Sequence, residues 1–172
     1  LTNLINNARD LNTLAIGDTG FSRKQEFIRE FELGVAQPYK LVVEVVKQKY
    51  HCLESIVNVG SQYGLTAPNS ALYGGNFETS PIQYGVSKAA LHHLTKEMAV
   101  RFAPEIRVNC VAFGGFKGRT SKEFEKKYSK MVPLGRMLKD EEAGPPVEFL
   151  LNKASSSITG HVLIADGGWS IW

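Results

Sequence analysis

Short apolar runs alternate along this chain with stretches whose apolar residues recur at helical spacing, and that alternation limits the fold more than any other feature. The runs fall at residues 1–5, 55–59, 107–112 and 162–165. Each is short and β-compatible, and each is bounded by polar or glycine-containing turns such as Asn6-Asn7 and Gly114-Gly115. Between them, Phe27, Ile28, Phe31 and Val35 share one helical face that Ser22 could cap, and Pro38 interrupts or restarts that helix. Leu41, Val42, Val45 and Val46 continue it to about Gln48. Residues 82–102 form the clearest helix, with Leu91, Leu94, Met98 and Phe102 in phase and Pro104 ending it. Residues 120–131 align Phe124, Tyr128 and Met131, and Asp140 can cap a helix that runs past Pro145-Pro146 to Phe149 and Leu151. Parallel neighbours need long crossovers, usually helical. The pattern therefore predicts an α/β fold: one domain over residues 1–172, with four parallel strands, helices on both faces, and the first strand buried. In such sheets ligands lie beyond the carboxyl ends of the strands. Asn6-Asn7, Ser61 and Gly114-Gly115 fall there.

Composition removes several classes of function. The chain has 172 residues, 43% hydrophobic and 22% charged, which is ordinary for a folded domain and unlike a disordered or collagen-like chain. No apolar run approaches the ~20 residues that span a bilayer, and no leader-like segment opens the sequence, so no membrane association is expected. Leu1 stands where a Met would, and the chain reads as beginning inside a fold. The net charge of +3 is too weak to imply nucleic acid. The charge is unevenly placed, however. Residues 117–139 hold eight cations against Glu123 and Glu125, a net +6 that leaves −3 for the remainder. That segment reads either as a solvated helix face or as a lid attracting an anionic substrate. Cys52 and Cys110 are expected to be buried, reduced thiols of a cytoplasmic protein. The histidines lack metal-ligand spacing; His92-His93 reads as surface, and no metal is expected.

Chemistry concentrates at Tyr84, Lys88 and Ser61. Tyr84 and Lys88 are four residues apart at the start of a helix, which places both side chains on one face. A free phenol titrates near pH 10, and a nearby cation favours its phenolate. Such a pair can exchange a proton in alcohol/carbonyl interconversion. Ser61, at a strand end, can hydrogen-bond the reacting oxygen.

The surrounding motifs carry a family resemblance. In order they are Asn6-Asn7-Ala8, Ile56-Val57-Asn58-Val59-Gly60-Ser61, Tyr84-Gly85-Val86-Ser87-Lys88-Ala89-Ala90, Ile106-Arg107-Val108-Asn109-Cys110-Val111, Gly114-Gly115, Pro133-Leu134-Gly135-Arg136-Met137, Thr159-Gly160-His161 and Asp166-Gly167-Gly168. This series resembles the short-chain dehydrogenase/reductase family across essentially the whole chain. The resemblance implies a partial Rossmann-like sheet and NAD or NADP as cofactor. It implies Tyr84 as general acid/base, Lys88 holding the nicotinamide ribose and depressing the Tyr84 pKa, and Ser61 orienting the carbonyl. Asn6, Ala8, Gly114, Gly115 and Phe116, with Tyr84 and Lys88, would border the cofactor. A small-molecule substrate and a homo-oligomer of the intact protein are implied, with Ala89 and Ala90 allowing close helix packing between subunits.

The sequence also departs from the family. It shows no Gly-rich strand–turn–helix for the pyrophosphate, so it resembles the C-terminal two-thirds of a member. Weak or no dinucleotide binding by this chain alone is then expected, with the first strand an open edge. Gly34 aligns with the family's helix asparagine, whose water relay reaches the lysine, and Gln37 with its glycine. Arg9 replaces the glycine after Asn-Asn-Ala, where a positive φ is expected, and Phe113 replaces a proline. The segment between Ser61 and Tyr84 is longer than usual, containing Ala67-Pro68-Asn69-Ser70-Ala71-Leu72-Tyr73-Gly74-Gly75 and Thr79-Ser80-Pro81. It resembles a bacterial flagellin-modification subgroup linked to legionaminic-type sugars. Two readings follow: an alcohol/carbonyl oxidoreductase, for which this subgroup points to a sugar-derived substrate, or a non-catalytic remnant or structural subunit without cofactor binding.

Overall fold

A computed structural model describes residues 1–17, 20–73 and 80–172. Gly74, Gly75 and Thr79 of the long segment lie outside the described residues.

Four strands form one parallel sheet in chain order: β1 (Asn3–Asn6), β2 (Ser55–Ser61), β3 (Arg107–Phe113) and β4 (Val162–Ala165). The register pairs Asn6 with Asn58, Asn58 with Cys110, Ser61 with Phe113, and Phe113 with Ala165. The helices are α1 (Lys24–Phe31), α2 (Gln37–Val46), α3 (Ile82–Phe102), α4 (Lys122–Met131) and α5 (Gly144–Leu151). Side chains alternate across a strand, and the two faces of the sheet divide accordingly. Ile56 and Val108 pack with Val42, Met98 and Ala99 of α2 and α3, whereas Val57, Val111 and Phe113 pack with Leu150 of α5. Helices thus cover both faces, as the alternating pattern predicts. A third cluster of Leu72, Tyr128, Val132, Met137 and Trp169 lies outside the sheet.

Several expectations are corrected. β1 is not a buried strand: with β2 as its one partner, Asn3 and Ile5 remain exposed. Ser22 does not cap α1; Arg23 holds that position without a side-chain cap, and the Ser22 hydroxyl is spent on Gln83. The buried residues of α1 are Glu26 and Glu30, while Ile28 is exposed. The expected restart at Pro38 does hold: α1 passes through a wider π-turn, Glu32–Ala36, into α2, whose first turn contains Pro38. Proline cannot donate to the carbonyl four residues back, and a π-turn is one way to absorb that loss. Asp140 caps nothing; its carboxylate meets Arg119 at 3.2 Å, and Lys139 is the cap residue, its N–H donating to Glu142 at 2.8 Å. Cys52 is exposed, and His92 is buried beneath the sheet end while His93 is exposed. Arg9 needs no special backbone, because every positive φ among the described residues belongs to glycine.

Candidate active site

A cavity of about 760 Å³ opens at the carboxyl ends of β1, β2 and β3. Ser61, Tyr84 and Lys88 all face it, as do Ala8, Gly114, Gly115 and Phe116. Five of these come from strand ends or the turns just beyond them, while Tyr84 and Lys88 lie on the first turns of α3. Asn6 is the exception. Its side-chain amide donates to Asn58 Oδ1 at 2.8 Å, and Asn58 donates to Thr95 of α3 at 2.9 Å. Asn6 therefore ties β1 and β2 to α3 beneath the cavity and does not line it.

Lys88 reaches across α3 to the sheet, where its ammonium donates to the Val59 carbonyl at 2.7 Å. Nζ lies 5.8 Å from the Tyr84 ring centroid. Burial lowers the lysine pKa and the Arg9 cation lowers it further, while Cys110 and Glu30 act in the opposite direction. The Ser61 hydroxyl accepts from the Tyr63 N–H at 3.2 Å, and the Ser61 N–H donates to His92 Nε2 at 3.4 Å. His92 fits there because Gly60 and Gly64 leave room. A Cβ on Gly64 would approach His92 Cε1 to 2.5 Å.

Gly114 and Gly115 are needed as glycines by close packing. A Cβ on Gly114 would stand 2.8 Å from Asp166 Cα, and one on Gly115 would stand 2.6 Å from Met137 Cε. The Gly115 N–H donates to Tyr128 Oη at 2.8 Å, and the Tyr128 hydroxyl donates to Gln62 Oε1 at 2.8 Å. That relay fastens the β3 turn to the residue after Ser61. Burial raises the Tyr128 pKa, so the phenol stays protonated as a donor. Phe113, where the family has proline, packs its ring 5.5 Å from Phe116.

A second cavity of about 930 Å³, mainly lined by apolar groups, lies on the other side of Tyr84. Leu65, Pro68, Leu72, Ile82 and Val86 contribute to it, and Arg9, Tyr63, Tyr73, Tyr84, Thr120 and Phe124 border both cavities. Of the basic segment, Arg119 is the one cation that lines the first cavity. Arg119, Lys127, Arg136 and Lys139 each pair with a carboxylate, which is the behaviour of a solvated face.

Sequence reasoning missed Arg9, Gln62, Tyr63, Tyr128 and His92. Gln62 and Tyr63 directly follow Ser61, but nothing local shows their partners. His92 looks like a surface residue until Gly60 and Gly64 are seen beside it.

The chain resembles known proteins both in sequence and in fold. The model of the family described as enoyl-(acyl carrier protein) reductase matches residues 34–170. Post-translational flagellin modification protein A of Campylobacter coli is 34% identical over 126 residues, covering 73% of this chain and 48% of that protein. A short-chain dehydrogenase of Leptospira borgpetersenii, solved with bound NAD+, superposes with a TM-score of 0.77 at 32% identity, over 86% of this chain and 57% of that one. FolM alternative dihydrofolate reductase 1 of Brucella suis, in complex with NADP, gives 0.79 at 27% identity, over 100% and 65%. The fold is a parallel α/β domain with helices on both faces of the sheet, the class to which these two solved structures belong. The chain belongs to the short-chain dehydrogenase/reductase family, and it spans about half the length of the Campylobacter relative.

Proposed function

We propose that this chain carries the reaction half of an NAD- or NADP-dependent oxidoreductase that interconverts an alcohol and a carbonyl on a small molecule. The observation that carries the reading is the convergence of Ser61, Tyr84 and Lys88 on one cavity at the strand ends. The residues present fit the nicotinamide-ribose end of such a cofactor. An ammonium and a phenol face a cavity floored by the backbone of Gly114 and Gly115, whose packing against Asp166 and Met137 leaves no room for side chains. When bound, the nicotinamide supplies or accepts the hydride. Tyr84 gives a proton to the carbonyl oxygen in reduction, or takes one from the alcohol in oxidation. Ser61 donates a hydrogen bond to the same oxygen and fixes its direction. Lys88, anchored on Val59, keeps two N–H bonds free for ribose hydroxyls and sets a positive charge beside the phenol.

The substrate is read as a polar, sugar-derived carbonyl compound. The resemblance of the segment between Ser61 and Tyr84 to the legionaminic-type sugar subgroup supports a sugar, and Arg9 at the cavity supports one bearing an anion. A cytoplasmic, bacterial setting suits the two free thiols and the Campylobacter relative. Ile82, Val86 and Ala89 are exposed along the first turns of α3, which supports a homo-oligomer joined through that helix. Val86→Asp is expected to shift the elution of the intact protein toward monomer.

The test is NADH and NADPH titration by fluorescence, followed by carbonyl reduction across a panel of sugar-derived and simple ketones. Tyr84→Phe should lower turnover by about 10²–10⁴-fold with cofactor affinity kept. Wild-type protein that binds either nucleotide yet turns over no carbonyl or alcohol would overturn the catalytic reading. It would favour a non-catalytic subunit instead.

A further inference from the structure

We infer that Glu30 is a positioning residue for Lys88: a buried carboxylate, docked on α3 through Ser87, that holds the lysine ammonium charged within the cavity wall. Glu30 is 5% exposed. Burying a carboxylate is costly unless hydrogen bonds and a counter-charge offset the lost hydration. The Ser87 hydroxyl donates to Oε1 at 2.8 Å, and the Thr13 hydroxyl donates to Oε2. Among the described residues no Lys, Arg or His lies within ion-pair distance of Glu30, in contrast to Glu26 one turn earlier, which pairs with Arg23 at 2.7 Å. Two hydroxyls compensate poorly for a buried negative charge. The nearby buried cation is Lys88, the residue after Ser87.

Gly34 makes the docking possible. It lies one turn after Glu30 in the π-turn, and a Cβ there would stand 3.4 Å from Ser87 Oγ and 3.6 Å from Glu30 Oε1. A longer side chain at Gly34 would enter the space where carboxylate and hydroxyl meet. The family's asparagine position is thus vacated, and a carboxylate from the preceding turn occupies its surroundings.

The groups facing Lys88 identify Glu30 as the relevant charge. Arg9 is a cation and opposes the ammonium. Burial pushes the Cys110 thiol up to about 12, so it is uncharged at neutral pH. Burial pushes His92 down to about 4, so it too is uncharged there. The Tyr84 phenol lies across the ring contact. Burial favours the neutral amine, and Glu30 is the carboxylate whose field opposes that drift.

The electrostatic link concerns Lys88 whatever the chain catalyses, but its use in proton exchange rests on the reading above. The experiment separates the two. In protein labelled with 13C-lysine, the Lys88 side-chain resonance, assigned with Lys88→Arg, is followed from neutral to alkaline pH. Glu30→Gln, isosteric and uncharged, should move the titration midpoint to lower pH, and Glu30→Asp should restore it toward wild type. Should Glu30→Gln fail to fold, Ser87→Ala keeps the carboxylate but removes its bond to α3, and the midpoint should again fall. A midpoint that stays in place or rises in the folded variant overturns the proposal. Because this readout needs no turnover, an inactive protein with the expected shift would sink the oxidoreductase reading alone.

Discussion

The guanidinium of Arg9 stands 5.3 Å from the centroid of the Tyr84 ring, while the Lys88 ammonium lies 5.8 Å from the same centroid. Two cations therefore flank one phenol at the junction of the two cavities. Burial lowers the Lys88 pKa, and the Arg9 cation adds to that lowering. Arg9→Gln is expected to move the Lys88 titration to higher pH, opposite in sign to Glu30→Gln. A cation over a half-buried ring contributes about 1–2 kcal/mol, so the variant should remain folded. A Lys88 midpoint unchanged or lowered in Arg9→Gln would show that the arginine's field does not reach the lysine.

Gly60 is fixed by what lies on the α3 side of β2. A Cβ there would collide with His92 Nε2 and come within 2.7 Å of Cys110 Sγ. Both neighbours are buried and cannot easily retreat, so Gly60→Ala overpacks the sheet directly before Ser61. A loss of about 1–3 kcal/mol is expected, measured by denaturant unfolding. Stability at the wild-type level would mean that His92 can rotate away at no cost.

The elements of the fold were legible because their signals are local and periodic. The three later strands and α3 fall where apolar runs and helical spacing put them, and Ser61, Tyr84 and Lys88 meet because strand ends and the start of α3 share one edge of the sheet. What failed depends on partners distant in sequence. Glu30 looks like a solvent-facing residue of α1 until Thr13 and Ser87, 17 and 57 positions away, donate to it. Asn6 reads as a cavity residue, but Asn58, 52 positions on, claims its amide. Periodicity carries no information about such pairings, and hydrogen bonding decides them.

Tyr128 joins α4 to the cavity through one hydroxyl that both accepts from Gly115 and donates to Gln62. Its ring stacks on Trp169, with centroids 4.6 Å apart, so Tyr128→Phe keeps the packing and removes only the hydroxyl. The Gly115 N–H and Gln62 Oε1 then lose their partners in a largely buried setting, at a cost of about 1–3 kcal/mol. Thermal unfolding should show the loss, and Trp169 fluorescence should stay close to wild type. An unchanged unfolding temperature would mean that water replaces the phenol without penalty.

His92 gives the protein an acid-sensitive point next to Ser61. Burial, then the Lys88 cation, push its pKa down to about 4 from an ordinary value of 6.5. Between those values the unfolded chain binds a proton that the folded chain refuses, so stability falls as pH drops from about 6.5 toward 4, and above about 6.5 the group contributes no slope. The imidazole must stay neutral at Nε2 to accept the Ser61 N–H, and protonation would set a second cation beside Lys88. The expected loss is about 1–2 kcal/mol by pH 5. Thermal unfolding of wild type at pH 7, 6 and 5 should therefore decline more steeply than that of His92→Gln, whose amide oxygen can still accept from Ser61 but does not titrate. Parallel declines in the two proteins would show that His92 takes up its proton as freely in the fold as outside it.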